Sequence, residues 1–304
     1  MTNPLTPGQL TGARALITGS SRGIGAQTAQ YLAEAGASVV INYRNKEARA
    51  LKLVEEIESA GGTAIALGAD LTDPVGVARM MSEIKERWGG LDLLVMNASG
   101  GMEADMGEDY AMKLNRDAQV GLLNSALPLM ERGSRVVFVT SHQAHFIRDV
   151  ETMPEYLPVA LSKRAGEDAL RAMNDEMKNL GIDFVVVSGD MIEGTVTATL
   201  LNRANPGVIE QRKEQVGKLY NVEEFAAEVA CGRGRLELRR ISTNRGRQGG
   251  FAPDQPRDSD GFGWGLLIFH DRSARLHRIF SLDHTGWWSR PRRNSCPGGS
   301  ARGV

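Results

Sequence analysis

A doubly wound α/β fold, with a parallel sheet covered by helices on both faces, is what this sequence predicts. Three observations point to it. Through residue 230, six short apolar runs alternate with segments of helical character, an order that gives parallel strands joined by helical crossovers. The first apolar run leads directly into a glycine-rich turn, Thr18-Gly19-Ser20-Ser21-Arg22-Gly23-Ile24-Gly25. At 304 residues and 41% hydrophobic, the chain is long enough to bury a sizeable core.

Each element follows from its pattern. "ARALITG" (13–19) is short and apolar and enters the glycine turn, so it reads as a buried strand. "IGAQTAQYLAEAG" (24–36) is a helix stopped at Gly36. "SVVINY" (38–43) is the second strand, and "EARALKLVEEIESAGG" (47–62) an amphipathic helix closed by Gly61 and Gly62. "TAIALGAD" (63–70) is the third strand and "DPVGVARMMSEIKERWGG" (73–90) the third helix. "LDLLVMNA" (91–98) is the fourth strand, followed by a loop and a helix through "NRDAQVGLLNSALPLM" (115–130). "SRVVFVTS" (134–141) is the fifth strand, "SKRAGEDALRAMNDEMKNLG" (162–181) a long helix, and "IDFVVVSG" (182–189) the sixth strand. A ligand of such a sheet lies at the carboxyl ends of the strands, near the point where strand order switches.

Bulk composition excludes several classes. A net charge of −1 gives no basic footprint for nucleic acid. No run reaches the ~18 apolar residues of a membrane span, and "MTNPLTPGQL" has no basic segment leading into an apolar one, so no signal peptide is expected. Two cysteines, Cys231 and Cys296, without a CxxC, fit a reducing cytoplasm and no metal framework. The average hides a seam, however. From Cys231 onward the chain has 14 Arg, no Lys and 6 acidic residues, a charge of +8 against −9 for the first 230. This predicts a domain over 1–230 and an Arg/Gly-rich tail over 231–304 that is largely disordered, because its composition offers little to bury. Within the tail, "WGLLIF" (264–269) is the one run that could dock as a seventh strand, the start of the last helix being "NVEEFAAEVA" (221–230).

The glycine turn carries the first chemistry. Glycines let the backbone approach a pyrophosphate, and the N–H groups of the helix that follows face the anion. Thr18, Gly19, Ser21, Arg22, Gly23, Ile24 and Gly25 are therefore candidate nucleotide contacts. The second strand ends in Tyr43-Arg44, where an NAD-binding chain places a carboxylate for the ribose hydroxyls. A guanidinium there binds a 2′-phosphate, so NADP(H) is expected over NAD, with Arg22 as a second positive charge.

Together with Asp70-Leu71-Thr72, Asn97-Ala98, Asn115, Ser141 and Ser162-Lys163, the turn "TGSSRGIG" resembles the short-chain dehydrogenase/reductase superfamily over residues 10–225. The resemblance implies a Rossmann-type sheet, an NADP(H) cofactor, a small-molecule substrate and the family habit of a homo-oligomer. By that resemblance Asp70, with Leu71, meets the adenine, and Asn97 with Ala98 braces the fourth strand against the cofactor. Asn115 holds a water relaying protons to Lys163, Ser141 orients the substrate oxygen, and Lys163 binds the nicotinamide ribose and acidifies a nearby phenol.

One departure from the family pattern decides the chemistry. The tyrosine expected four residues before Lys163 is Val159, and the nearest is Tyr156, seven before it. Tyr156-x6-Lys163 resembles the NADPH-dependent enoyl-thioester reductases of the superfamily. Seven helical residues turn through about 700°, roughly 20° short of two turns, so both side chains share a face. Pro158 suits a first helical turn. The expected activity is hydride transfer to a carbonyl or conjugated enoyl substrate, with Tyr156, Lys163, Ser141 and Asn115 as the catalytic set. The alternative is a catalytically silent NADPH-binding sensor or partner. His142 and His145 share the loop after the fifth strand at a spacing that can bind metal, but no carboxylate accompanies them in the pattern, and either could serve as a substitute proton donor.

Overall fold

The computed structural model describes residues 3–102, 107, 109–149, 151–232 and 266–268, the last three as backbone. Seven strands form one parallel sheet in the order β3-β2-β1-β4-β5-β6-β7. They are β1 (Arg14–Ile17), β2 (Ser38–Tyr43), β3 (Thr63–Gly68), β4 (Leu91–Met96), β5 (Met130–Ser141), β6 (Asp183–Gly189) and β7 (Leu266–Ile268). Strand order reverses between β1 and β4, which pair directly, Ile17 beside Val95. The crevice that a doubly wound sheet offers a ligand therefore opens there.

Why the strands are continuous apolar runs is visible in their two faces. Ile17, Val39, Ile41, Val95, Val137 and Val187 pack on one side, and Leu16, Val40, Leu94, Met96, Val136 and Val186 on the other. Alternate residues thus enter separate cores, each roofed by helices, and the exposed strand positions, such as Thr63, Glu131 and Asp183, fall toward strand ends. On the first face lie α1 (Gly23–Glu34), α2 (Glu47–Ser59) and α11 (Val222–Cys231), through Leu32, Leu53, Phe225 and Val229. On the second lie α3 (Pro74–Trp88) and α5 (Ala118–Ala126). Helix α3 shows the apolar periodicity plainly, burying Val77, Met80, Met81 and Ile84, with Asp73 accepting from the Val75 amide at 3.0 Å as its cap. Truncating a fully buried member such as Leu94 to alanine costs about 2–5 kcal/mol.

A third, smaller core sits beyond the carboxyl ends of the strands. It joins α6 (His142–His145) and α7 (Leu157–Ala172) to α9 (Val196–Ala204) and α10 (Val208–Val216) through Ala144, Tyr156, Val159, Met191, Leu201 and Val208. The 1–230 boundary falls inside α11, which runs to Cys231, and the Arg135 guanidinium, 6% exposed, then donates to the Gly232 carbonyl.

Several boundaries differ from the sequence expectation. The helix expected from Asn115 begins at Tyr110 with α4 (Tyr110–Met112), and passes through a π-turn over Lys113–Asp117 before α5. Helix α7 begins at Leu157 rather than Ser162, and a break at Met173 separates it from α8 (Asn174–Leu180). Met130 pairs with Leu91, extending β5 four residues upstream of "SRVVFVTS". The loop expected at "HQAH" is the short helix α6. As the apolar run at 264–269 allowed, Leu266–Ile268 pairs in parallel with Val186–Ser188 at the edge of β6. The expected disorder of 231–304 otherwise concerns residues outside those described.

Candidate active site

The glycine turn is stitched to the exit of β4 by hydrogen bonds that use almost every polar atom available. Thr18, fully buried, donates its hydroxyl to the Val95 carbonyl at 3.3 Å and accepts from the Asn97 and Ala98 amides, both at 3.0 Å. The Asn97 side chain donates back to the Thr18 and Gly19 carbonyls at 3.0 and 3.3 Å. A side chain at position 25 has no room: its Cβ would lie 2.7 Å from Asn97 Nδ2 and 2.8 Å from the Gly19 carbonyl. Helix α1 starts from Arg22 with no side-chain cap and no acidic residue in its first turn, so its leading N–H groups and positive dipole end face the turn. This backbone cradle fits a pyrophosphate.

Two residues of this site escaped the sequence reading. Asn42 accepts from the Gly19 amide at 3.2 Å and donates to the Leu67 and Ala69 carbonyls at 3.3 and 3.2 Å. Ser20 donates to the Ile17 carbonyl at 2.7 Å and accepts from the Asn42 amide at 3.0 Å. Both are buried and bind β2 to the turn. The available signal was an asparagine inside the apolar run "SVVINY", a polar group that must be satisfied internally.

At the end of β2, the exposed Arg44 guanidinium lies 5.6 Å from the centre of the Tyr110 ring and hydrogen-bonds its hydroxyl. Tyr43 donates to Glu47 at 2.8 Å, and Asp70 accepts from the Thr72 amide at 2.9 Å and its hydroxyl at 2.8 Å. A cavity of about 570 Å³ opens between the first turn of α3 and the α4–α5 segment, lined among others by Leu71, Thr72, Met112, Lys113 and Ala118. It touches the expected cofactor set through Leu71 and includes none of Ser141, Tyr156 or Lys163.

The expected catalytic residues gather where β5 ends. Tyr156 closes a 3-10 turn (Pro154–Tyr156) immediately before α7, with Pro158 in the first turn of the helix. Its hydroxyl donates to Ser141 Oγ at 3.2 Å, although 15 residues separate the two in sequence. Burial pushes the Tyr156 phenol above its ordinary pKa, and the Ser141 hydrogen bond pulls it the other way. Lys163 is buried on the same helix, its ammonium 3.5 Å from the carbonyl of Val139, two residues before Ser141. Desolvation lowers its pKa to about 8. Val159, in the position where the family pattern has tyrosine, is buried in the third core.

Asn115 lies inside the π-turn, a local widening that is frequent at functional sites. Its amide donates to the Gly100 carbonyl at 2.8 Å and to Ser162 Oγ at 2.9 Å, and its oxygen accepts from the Gly100 amide at 3.3 Å. The side chain is a clamp between the β4 exit and α7. Both amide hydrogens are thereby engaged within the protein. Helix α7 packs so closely here that a Cβ on Gly166 would sit 2.0 Å from the Asn115 backbone oxygen. His145, read from sequence as lacking a carboxylate partner, has one in Glu167, at 2.8 Å. Among the described residues no cluster of three metal-binding side chains occurs, and no helix is long and apolar enough to cross a membrane.

The sheet order and the turn at its switch point are those of the Rossmann-type oxidoreductases. The sequence matches the short chain dehydrogenase family over residues 13–205, and the chain belongs to that family. It is 35% identical over 203 residues to the short chain dehydrogenase/reductase AacuN of Aspergillus aculeatus, covering 65% of this chain and 74% of that protein. It is 36% identical over 186 residues to 1-cyclohexenylcarbonyl-CoA reductase of Streptomyces collinus, covering 59% and 64%. Among solved structures, the angucycline C-6 ketoreductase LanV with bound NADP is similar with a TM-score of 0.61 at 28% identity, over 75% of this chain and 90% of that one.

Proposed function

We propose that this protein is an NADPH-dependent reductase that adds hydride to a conjugated enoyl or carbonyl substrate, with Tyr156 as its acid. The observation that carries the reading is the Tyr156–Ser141 hydrogen bond at 3.2 Å, formed at the entry of the helix that carries Lys163. When bound, the cofactor supplies the hydride. The turn over Thr18–Gly25 and the first turn of α1 hold its pyrophosphate, Asp70 and Leu71 flank the adenine, and Asn97 with Ala98 lines the β4 side. Arg44, with Arg22, faces the 2′-phosphate.

At the reacting end, Ser141 orients the substrate oxygen and Tyr156 delivers a proton to the oxyanion or enolate that forms. Lys163, as a cation, stabilises the tyrosinate left behind, which regains its proton from solvent. A conjugated double bond suits the wide Tyr-x6-Lys spacing, because its oxygen lies three bonds from the carbon that receives hydride, two more than in a ketone. The relative that acts on cyclohexenylcarbonyl-CoA supports the enoyl reading, and the ketoreductase neighbour supports the carbonyl one.

The matched pair cyclohex-2-enone and cyclohexanone, within a wider panel of enones and ketones, separates these readings. NADPH binding followed by turnover of the enones, abolished by Tyr156→Phe by a factor on the order of 10²–10⁴ with NADPH affinity kept, is the expected result. Unchanged turnover in Tyr156→Phe would remove Tyr156 from the mechanism. Binding of NADPH without turnover of any member would favour a silent cofactor-binding protein.

A further inference from the structure

Behind the exit of β5 lies a buried polar group that the chemistry above does not use. His145 Nδ1 is 2.8 Å from the carboxylate of Glu167, and the two residues are 8% and 0% exposed. Glu167 stands one turn after Lys163 on α7 and also accepts from Arg171 Nε at 2.9 Å. Burial alone would push the Glu167 carboxyl up, but the hydrogen bond and charge of His145 together with Arg171 hold it below its ordinary range. From the same side, Arg164 donates to the His145 backbone carbonyl at 2.7 Å while pairing with Asp168, which Arg148 also reaches.

What these contacts fix is helix α6, four residues long and too short to hold itself in place. Its far end is fastened to α7 twice, by the imidazole of His145 and by its carbonyl. Its near end is capped by Ser141, whose Oγ accepts from the Ala144 amide at 3.2 Å while accepting from Tyr156. The orientation of Ser141 therefore depends on α6, and that of α6 on the His145–Glu167 contact. An apolar pair could fill the same volume without the cost of burying a carboxylate, whereas the hydrogen-bonded pair adds a directional constraint.

We propose that His145, held by Glu167, is a positioning residue that aims Ser141 at the reacting oxygen. The inference rests on the reading of Ser141 given above, and the test distinguishes the two. His145→Leu, His145→Asn, His145→Gln, Ser141→Ala and the double variant Ser141→Ala/His145→Leu are compared with wild type for kcat, on the fastest enone or ketone of the panel, and for NADPH Kd. Rates are expressed per NADPH-binding site, which removes any unfolded fraction.

His145→Leu should lower kcat about tenfold while NADPH Kd stays within about twofold, since the cofactor turn lies elsewhere in the sheet. His145→Asn, whose amide sits near the Nδ1 position, should recover most of the rate, and His145→Gln, whose amide sits further out, should not. In the Ser141→Ala background, His145→Leu should cost nothing more, because both act through one hydroxyl. A tenfold loss repeated on top of Ser141→Ala would overturn the proposal, as would wild-type kcat in His145→Leu. Should the leucine variant fail to fold, equal rates for the asparagine and glutamine variants overturn it. Wild-type kcat in Ser141→Ala would remove the reading of Ser141 and this inference with it, whereas a slow Ser141→Ala beside a fast His145→Leu removes the inference alone.

Discussion

Lys163→Met should stabilise the cofactor-free protein while abolishing its turnover. The ammonium is buried, and desolvation is what lowers its pKa from the ordinary 10.5 to about 8. Folding thus favours the neutral amine. The folded protein carries no penalty above the unfolded value, gains one as pH falls from 10.5 toward 8, and bears all of it below 8. The displacement corresponds to about 3 kcal/mol at pH 7. Methionine fills the space of the stem without a charge to desolvate, so the variant should recover most of this. For a fold of this size, that is a rise in Tm of about 6–12 °C. Thermal unfolding of both proteins without cofactor, at intervals from pH 7 to pH 10.5, measures the difference. It should be largest at and below pH 8 and vanish toward 10.5. A variant less stable than wild type at pH 7, or an advantage that does not change with pH, would refute the argument that Lys163 is held at a desolvation cost.

Arg44→Asp should narrow or reverse the preference for NADPH over NADH, measured as the ratio of the two dissociation constants. Equal affinity for both cofactors in the wild type would reduce Arg44 and Arg22 to solvated surface. Gly166→Ala places a methyl 2.0 Å from the Asn115 carbonyl, so α7 must move off the π-turn. It should destabilise the protein by about 1–3 kcal/mol in denaturant unfolding, the usual range for overpacking, and lower turnover with it. An unaffected rate and stability would show that the π-turn yields freely.

Much of the fold was legible in the sequence because its strands are buried on both faces. A run such as "SVVINY" or "FVVVSG" has no solvated position, so length and flanking turns set its limits closely, and β2 occupies 38–43 as read. The glycine turn was equally plain, since close packing admits no Cβ at Gly25. The edge strand at 266–268 was readable as the one apolar run after residue 231. Where the sequence misled, long-range contacts decided. The π-turn at 113–117 exists because Asn115 is clamped between Gly100 and Ser162, residues 15 and 47 positions away. His145 looked like a solitary loop imidazole because its carboxylate partner lies 22 residues on, across two elements. Asn42 and Ser20 were overlooked for the same reason, as their hydrogen bonds join one strand to the turn of another. Sequence periodicity reports which face of an element is buried. Which polar groups meet behind that face, Ser141 with Tyr156 and His145 with Glu167, is set only when crossovers bring distant segments together, and the proposed chemistry of this protein depends on those meetings.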